Sequence, residues 1–154
     1  MTDFLIEKIN EENFSEFIYL IEKLAEYEKL LPPDEDAKLH LKNDAFSKNP
    51  KYEAYVAYID EKPAGYITFY FTYSTFLAKK TLYLEDIFVL EEFRKRGLGK
   101  ALFEFCKKEA KNRGCGRMDW TVLTWNEPSI RFYEKLGGER QDWYLYRLDG
   151  EKLN

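Results

Sequence analysis

The chain predicts an α/β domain, a mixed sheet with helices packed on it. Three observations predict it. Short runs of alternating apolar residues recur at strand length, stretches with apolar residues at helical spacing separate them, and Pro or Gly pairs punctuate the boundaries. The 154 residues, 45% hydrophobic and 34% charged, are the amount one domain needs, so 1–154 reads as a single domain.

The elements follow in order. Residues 4–9 (FLIEKI) read as a first strand, and Asn10 can cap what comes next. Phe14, Phe17, Ile18, Ile21, Leu24 and Ala25 then recur at helical spacing over 11–30, and Pro32 and Pro33 stop that helix. A weaker helix over 34–47 follows the acidic cap Asp34. KYEAYVAYI (51–59) alternates as a strand, DEKP (60–63) turns, and AGYITFYFTY (64–73) returns as its hairpin partner. STFLAKK is a loop, and TLYLEDIFVL (81–90) is a third long strand. From Gly97 a helix presents Leu98, Ala101, Leu102, Phe105, Cys106 and Ala110 on one face, ending at Arg113-Gly114. RMDWTVL (117–123) is a strand. Asn126 and Pro128 open a short helix that Gly137-Gly138 closes, and WYLYRLD (143–149) reads as a last strand. The expected order is β-α-α-β-β-β-α-β-α-β.

Composition removes several function classes. Lys and Arg number 24 against 28 Asp and Glu, a net charge of −4. Such a chain is a poor candidate for nucleic acid and a fair one for attracting small cations. Two cysteines, Cys106 and Cys115, are too few for a disulfide framework or a Cys-based zinc site. One histidine, His40, read as a surface residue, argues against a His-rich metal site or a Ser-His-Asp triad. We expect no metal. The opening MTDFLIEKINEE is acidic, unlike a secretory leader, and the longest uncharged stretch, 63–78, is too short for a membrane helix. The expected compartment is the cytoplasm, with no membrane partner.

Chemistry concentrates in three places. First, a long strand runs into Arg94-Lys95-Arg96-Gly97-Leu98-Gly99-Lys100 at a helix start. Unpaired N–H groups there attract phosphate, glycines let it approach, and the basic side chains add charge. The Walker pattern is absent. The dinucleotide fingerprint fails too, since Leu102 holds its third glycine position. A plain helix start with incidental basic residues is the alternative. Second, Glu85 and Asp86 sit side by side in an apolar strand. Alternation sends them to opposite faces, each either satisfied by buried partners or open to a cavity. Third, Tyr133 follows Asn126 by two helical turns and can donate a proton or simply pack.

Read together, R-x-x-G-x-G (94–99), YLEDIFV, WNEPSIRFY and KLGG resemble the GNAT-type N-acetyltransferases in order and spacing. AEYEKL (25–30), FYFTYST (69–75), LYLEDIFV (82–89) and TWNEPSIRFYEKLG (124–137) look most like the spermidine/spermine and thialysine acetyltransferase branch. The resemblance covers nearly the whole chain. It implies a mostly antiparallel central sheet with helices on both faces, and acetyl-CoA as co-substrate. It implies that Tyr133 protonates the coenzyme A thiolate, and that Glu85 binds the amine and helps remove its proton through water. Tyr27 and Glu28 would line the amine site. Ile87, Phe88 and Val89 would offer backbone groups to the thioester and pantetheine. Arg94, Lys95, Arg96, Gly97, Leu98, Gly99 and Lys100 would surround the pyrophosphate, and Asn126, Glu127, Pro128 and Ser129 would contact the coenzyme arm. A homodimer is implied as well. The polyamine-specific branch carries Asp where this chain has Ser74, which points toward thialysine-like amino acids or diamines rather than spermidine. The alternatives are a protein N-terminal or lysine acetyltransferase, and a coenzyme A-binding module without turnover.

Overall fold

Hydrogen bonding between extended segments organises the computed structural model, which describes residues 3–154. Among these residues five strands form one sheet in the order β1 (Leu5–Lys8), β2 (Glu53–Ile59), β3 (Lys62–Ser74), β4 (Lys79–Val89), β5 (Arg117–Asp119). The first four are mutually antiparallel, and β5 joins β4 in parallel. The helices are α1 (Phe14–Glu28), α2 (Glu35–Ala45), α3 (Leu98–Asn112) and α4 (Glu127–Lys135). Short 3₁₀ turns lie at Glu91–Phe93 and Gly150–Leu153. The chain divides into two compact units, Met1–Thr121 and Val122–Asn154.

In the first unit, register assigns side chains to faces. Val56 pairs with Tyr66, and Tyr66 with Phe88. These, with Ala54 and Tyr58, meet Phe17 and Leu20 of α1 in one core. The opposite parity belongs to α3: Tyr55 stacks on Phe69 at 5.9 Å and meets Phe105 at 4.7 Å. Helices therefore cover both faces, and the mixed, mostly antiparallel architecture is as expected. Cys106 lies in the α3 core, where burial pushes its thiol up to about 12.

Local chemistry sets the boundaries. Asn10 does not cap α1 directly. Its Oδ1 accepts from the N–H of Glu12 and Asn13, while Asn13 Oδ1 accepts from the N–H of Asn10. This reciprocal turn delays the helix to Phe14. Lys29, at φ 58°, closes α1 in the left-handed region before the prolines are reached. Asp34 caps α2 as expected, accepting from Ala37 N–H at 2.9 Å.

Two strand expectations are corrected. The segment 117–123 pairs only over Arg117–Asp119, because Trp120 leaves the ladder and packs edge-on against Phe103 of α3 at 5.2 Å. In the second unit, 143–149 forms no strand. Trp143, Tyr144 and Tyr146 are 81%, 87% and 88% exposed, and alternation without a pairing partner does not make a strand.

Gly65 fixes the spacing of β3 and β4. A Cβ there would sit 2.5 Å from the Phe88 carbonyl oxygen, a backbone atom that cannot rotate away. Gly65→Ala should cost about 2–3 kcal/mol through overpacking, seen as a lower urea midpoint with an unchanged slope. An unchanged midpoint would show that the strands separate freely.

Candidate active site

Alternation along β4 breaks at one place, and there the carboxylates collect. Asp86 pairs with Thr68, but the next pair is Leu84 with Phe69, so Glu85 is an extra, unpaired residue. This β-bulge re-aims side chains. Leu84 turns into the α3 core, 2% exposed, and Glu85 joins Asp86 on the other face. The expectation of one carboxylate on each side is thereby corrected. Tyr70 donates a long hydrogen bond to Glu85 Oε2 at 3.4 Å, and Thr68 Oγ1 donates to Asp86 Oδ2 at 2.7 Å. Thr68 and Tyr70 are two apart on β3 and share the face of Tyr66. Sequence reasoning missed these hydroxyls, although the alternation of 64–73 already places Tyr66, Thr68 and Tyr70 on one side.

A third carboxylate comes from α1. Glu28, its last residue, has its carboxyl raised by burial, and its charge acts on both Asp86 and Tyr66. Tyr27 beside it meets Phe88 at 6.2 Å. Three of the acidic and aromatic residues singled out in sequence, Tyr27, Glu28 and Glu85, are thus brought to one face, together with Asp86. Glu85 is exposed, whereas Asp86 is partly buried. Desolvation pushes the Asp86 carboxyl up to about 6, the Thr68 bond opposes this, and the charges of Glu85 and Glu28 add to it.

The β4 edge away from β3 is paired with β5 only at Thr81–Tyr83. Along Ile87, Phe88 and Val89 no strand covers that edge among the described residues. Arg94 follows, its Nε donating to the Val89 carbonyl at 2.9 Å and its guanidinium lying 5.0 Å from the Tyr27 ring and 5.6 Å from that of Phe88. Arg94 therefore braces the Tyr27 side, and the loop beyond it carries the remaining basic groups. Lys95 and Gly97 both adopt left-handed backbone, at φ 62° and 90°. Ala101 N–H bonds to the Gly97 carbonyl at 3.0 Å. Leu98, Gly99 and Lys100 thus form the first turn of α3, whose N–H groups lack partners within the helix. Together with Lys95, Arg96 and Lys100 this turn suits a diphosphate.

In the second unit, Asn126 is buried and caps α4, its Oδ1 accepting from Ser129 N–H at 3.3 Å, with Pro128 in the first turn after Glu127. Tyr133 is partly exposed, its ring 5.3 Å from Phe132. Ser74 is buried at the end of β3, and its Oγ accepts from Leu77 N–H at 3.2 Å, so this hydroxyl shapes the β3–β4 turn. Among the described residues no group of three His, Cys, Asp or Glu is arranged to hold a metal.

Comparison with known proteins gives matches over most of the chain. The model for the Acetyltransferase (GNAT) family matches residues 8–138. A thialysine N-epsilon-acetyltransferase of Caenorhabditis elegans is 30% identical over 158 aligned residues, covering 100% of this chain and 97% of that protein. The L-ornithine N5-acetyltransferase NATA1 of Arabidopsis thaliana is 43% identical over 91 residues, 58% of this chain and 40% of that protein. A crystal structure described as a probable acetyltransferase superposes with TM-score 0.81 at 25% identity, covering 94% of this chain and 97% of that one.

The raised Asp86 carboxyl has a consequence for stability. Its folded value lies above the unfolded one, so folding takes up a proton between about pH 4 and 6. The penalty of the buried charge is absent below the unfolded value and complete above the folded one. A rise of about two units corresponds to about 3 kcal/mol. Asp86→Asn should raise Tm near neutral pH and converge with the wild type at about pH 4. An equal difference at both pH values would mean that burial of the charge is not the cause.

Proposed function

The chain belongs to the acetyltransferase (GNAT) family, and on that premise we propose that it moves the acetyl group of acetyl-CoA to the primary amine of a small cationic amine. The observation that carries this is the convergence of Glu28, Glu85 and Asp86 on one face beside the uncovered edge of β4. A nucleic acid or an acidic ligand would be repelled there, and an ammonium is attracted. Acetyl-CoA supplies an acyl group activated as a thioester. The first turn of α3, with Lys95, Arg96, Gly97, Leu98, Gly99 and Lys100, would hold its pyrophosphate. Backbone groups of Ile87, Phe88 and Val89 would orient the acyl arm, and Asn126, Glu127, Pro128 and Ser129 would contact it further along.

At pH 7 an alkyl amine with pKa about 10.4 is almost wholly protonated, and neutralising it costs about 4–5 kcal/mol. Glu85 binds the cation, while Tyr27 and Glu28 line the same site. The amine attacks directly, without a protein nucleophile. Tyr133 then protonates the departing thiolate, a role that rests on the family resemblance. A thiol near 8.5 and a phenol near 10 differ by about 2 kcal/mol, so Tyr133 acts on rate and is not absolutely required. We place the enzyme in the cytoplasm as a homodimer. The exposed Trp143, Tyr144, Leu145, Tyr146 and Leu148 support association.

Thialysine or ornithine type amino acids and short diamines are the favoured substrates. Ser74 brings no charge for a distal ammonium, and its hydroxyl already serves the turn. A missing charge-assisted bond is worth about 1.5–3 kcal/mol. Assayed with acetyl-CoA, thialysine and diamines should exceed spermidine in kcat/KM by about 10- to 100-fold. Preference for spermidine would reject this selectivity, and acetylation of peptides alone would reject the small-amine reading. Tyr133→Phe should lower kcat by about 10²-fold with coenzyme A affinity retained. An unchanged kcat, with chemistry rate-limiting, would remove Tyr133 from the acid role.

A further inference from the structure

Tyr66 is fully buried, and its hydroxyl has no hydrogen-bond partner among the described residues. Its ring is wedged between Phe17 at 5.6 Å and Phe88 at 6.4 Å. Phenylalanine would satisfy that packing without the cost of an unpaired buried hydroxyl. The hydroxyl lies in the field of Asp86, Glu28 and Glu85. It therefore lies near an acidic cluster, with bonding capacity to offer and no hydrogen bond to Asp86 among the described residues. Asp86 is itself held by one neutral donor, Thr68, and no cation pairs with it among the described residues. The guanidinium of Arg94, on the loop after β4, is committed to the Val89 carbonyl and the Tyr27 and Phe88 rings.

We propose that Asp86 is the proton acceptor for the incoming ammonium, positioned by the Thr68 hydroxyl and assisted by that of Tyr66, while the exposed Glu85 attracts and orients the cation. This inference rests on the amine-acetylation reading and deepens it. The Asp86 carboxylate takes a proton from the ammonium, and the electron pair of the broken N–H bond stays on nitrogen. That pair forms the bond to the acetyl carbon. The carbon–sulfur bond breaks, and its pair leaves with sulfur. Sulfur takes a proton from Tyr133, which is restored by the second nitrogen proton, and Asp86 returns the first to solvent. The balance is one ammonium and one thioester giving one amide, one thiol and one proton.

Burial suits Asp86 to the step better than an ordinary carboxylate. Held up to about 6, it faces an amine near 10.4 at a disadvantage of about four powers of ten, against about six for an unperturbed Glu. The groups that act on it are Glu28 from α1, Tyr66 and Thr68 from β3, and Glu85 from β4. Glu28 and Glu85 strengthen its hold on a proton, and the Thr68 bond weakens it. Tyr66 stays neutral throughout, being raised well above the ordinary phenol by burial.

The test is the pH profile of kcat/KM for thialysine with acetyl-CoA. The wild type should show an acidic limb near pH 6, with activity rising as Asp86 loses its proton. Asp86→Asn should lose that limb and fall by about 10²-fold or more in kcat, with the coenzyme A-induced rise in Tm intact. Glu85→Gln should keep the limb and raise KM. Thr68→Val, which removes the bond that holds the carboxyl down, should move the limb to higher pH. It serves as the deciding variant if Asp86→Asn does not fold. An Asp86→Asn limb unchanged from wild type, a limb abolished by Glu85→Gln, or an unmoved limb in Thr68→Val overturns the assignment while amine acetylation stands. Absence of transfer to every amine tried overturns the underlying reading, and this assignment with it.

Discussion

The extra residue in β4 governs the acidic face. Without the bulge, the alternation set by Ile87 and Phe88 would aim Glu85 into the core where Tyr55, Phe69 and Phe105 pack. An unpaired carboxylate in such surroundings costs several kcal/mol. Inserting one unpaired position lets Leu84 fill that core and turns Glu85 outward beside Asp86. The hydroxyl ladder of β3 then meets both carboxylates, Thr68 on one and Tyr70 on the other. A local break in the ladder thus gathers the negative charge that a regular strand would have divided.

The end of α1 completes the arrangement by a different route. Phe17 and Leu20 anchor the helix on β2 and β3, which brings its last turn to the end of β4 where Phe88 lies. Lys29 terminates it in the left-handed region, so Glu28 stands at the helix C-terminus. That terminus carries partial negative charge of its own, which adds to that of Glu28. Arg94, stacked on Tyr27 and bonded to Val89, ties this helix end to the last residues of β4. The same loop then presents its basic residues at the start of α3, so one continuous stretch of chain runs from the carboxylates of β4 to the basic turn.

Most of the architecture was legible because its signals are local. The Asp34 cap, the hairpin about 60–63 and the start of α3 at Gly97 each rest on a few adjacent residues. The misreadings concern partners that a local pattern cannot see. WYLYRLD alternates as a strand should, yet no strand pairs with it among the described residues. Trp120 continues an apparent strand but is claimed by Phe103 of another element. Glu85 and Asp86 were visible as unusual in sequence, whereas their common face required the register with β3. Tyr66 could not be told from the other tyrosines until its burial and its unbonded hydroxyl were known.

An acetyltransferase acting on amines has two opposed requirements. Negative charge is needed to collect an ammonium, yet the same charge stabilises the protonated, unreactive form. Uniformly exposed carboxylates would satisfy the first and worsen the second. Here the two demands fall on groups of unequal solvation. Glu85 is exposed and reaches solvent, where a carboxylate can attract cations without a large desolvation cost. Asp86 is desolvated, with a neutral hydroxyl as its partner, so its affinity for a proton rises as water is excluded. On the proposed reading, an amine moving from the first group toward the second would leave an environment that favours its charge for one that favours its neutralisation. On that reading carboxylate burial is the physical variable that would separate binding from deprotonation, and a single bulge places both degrees of burial within adjacent residues.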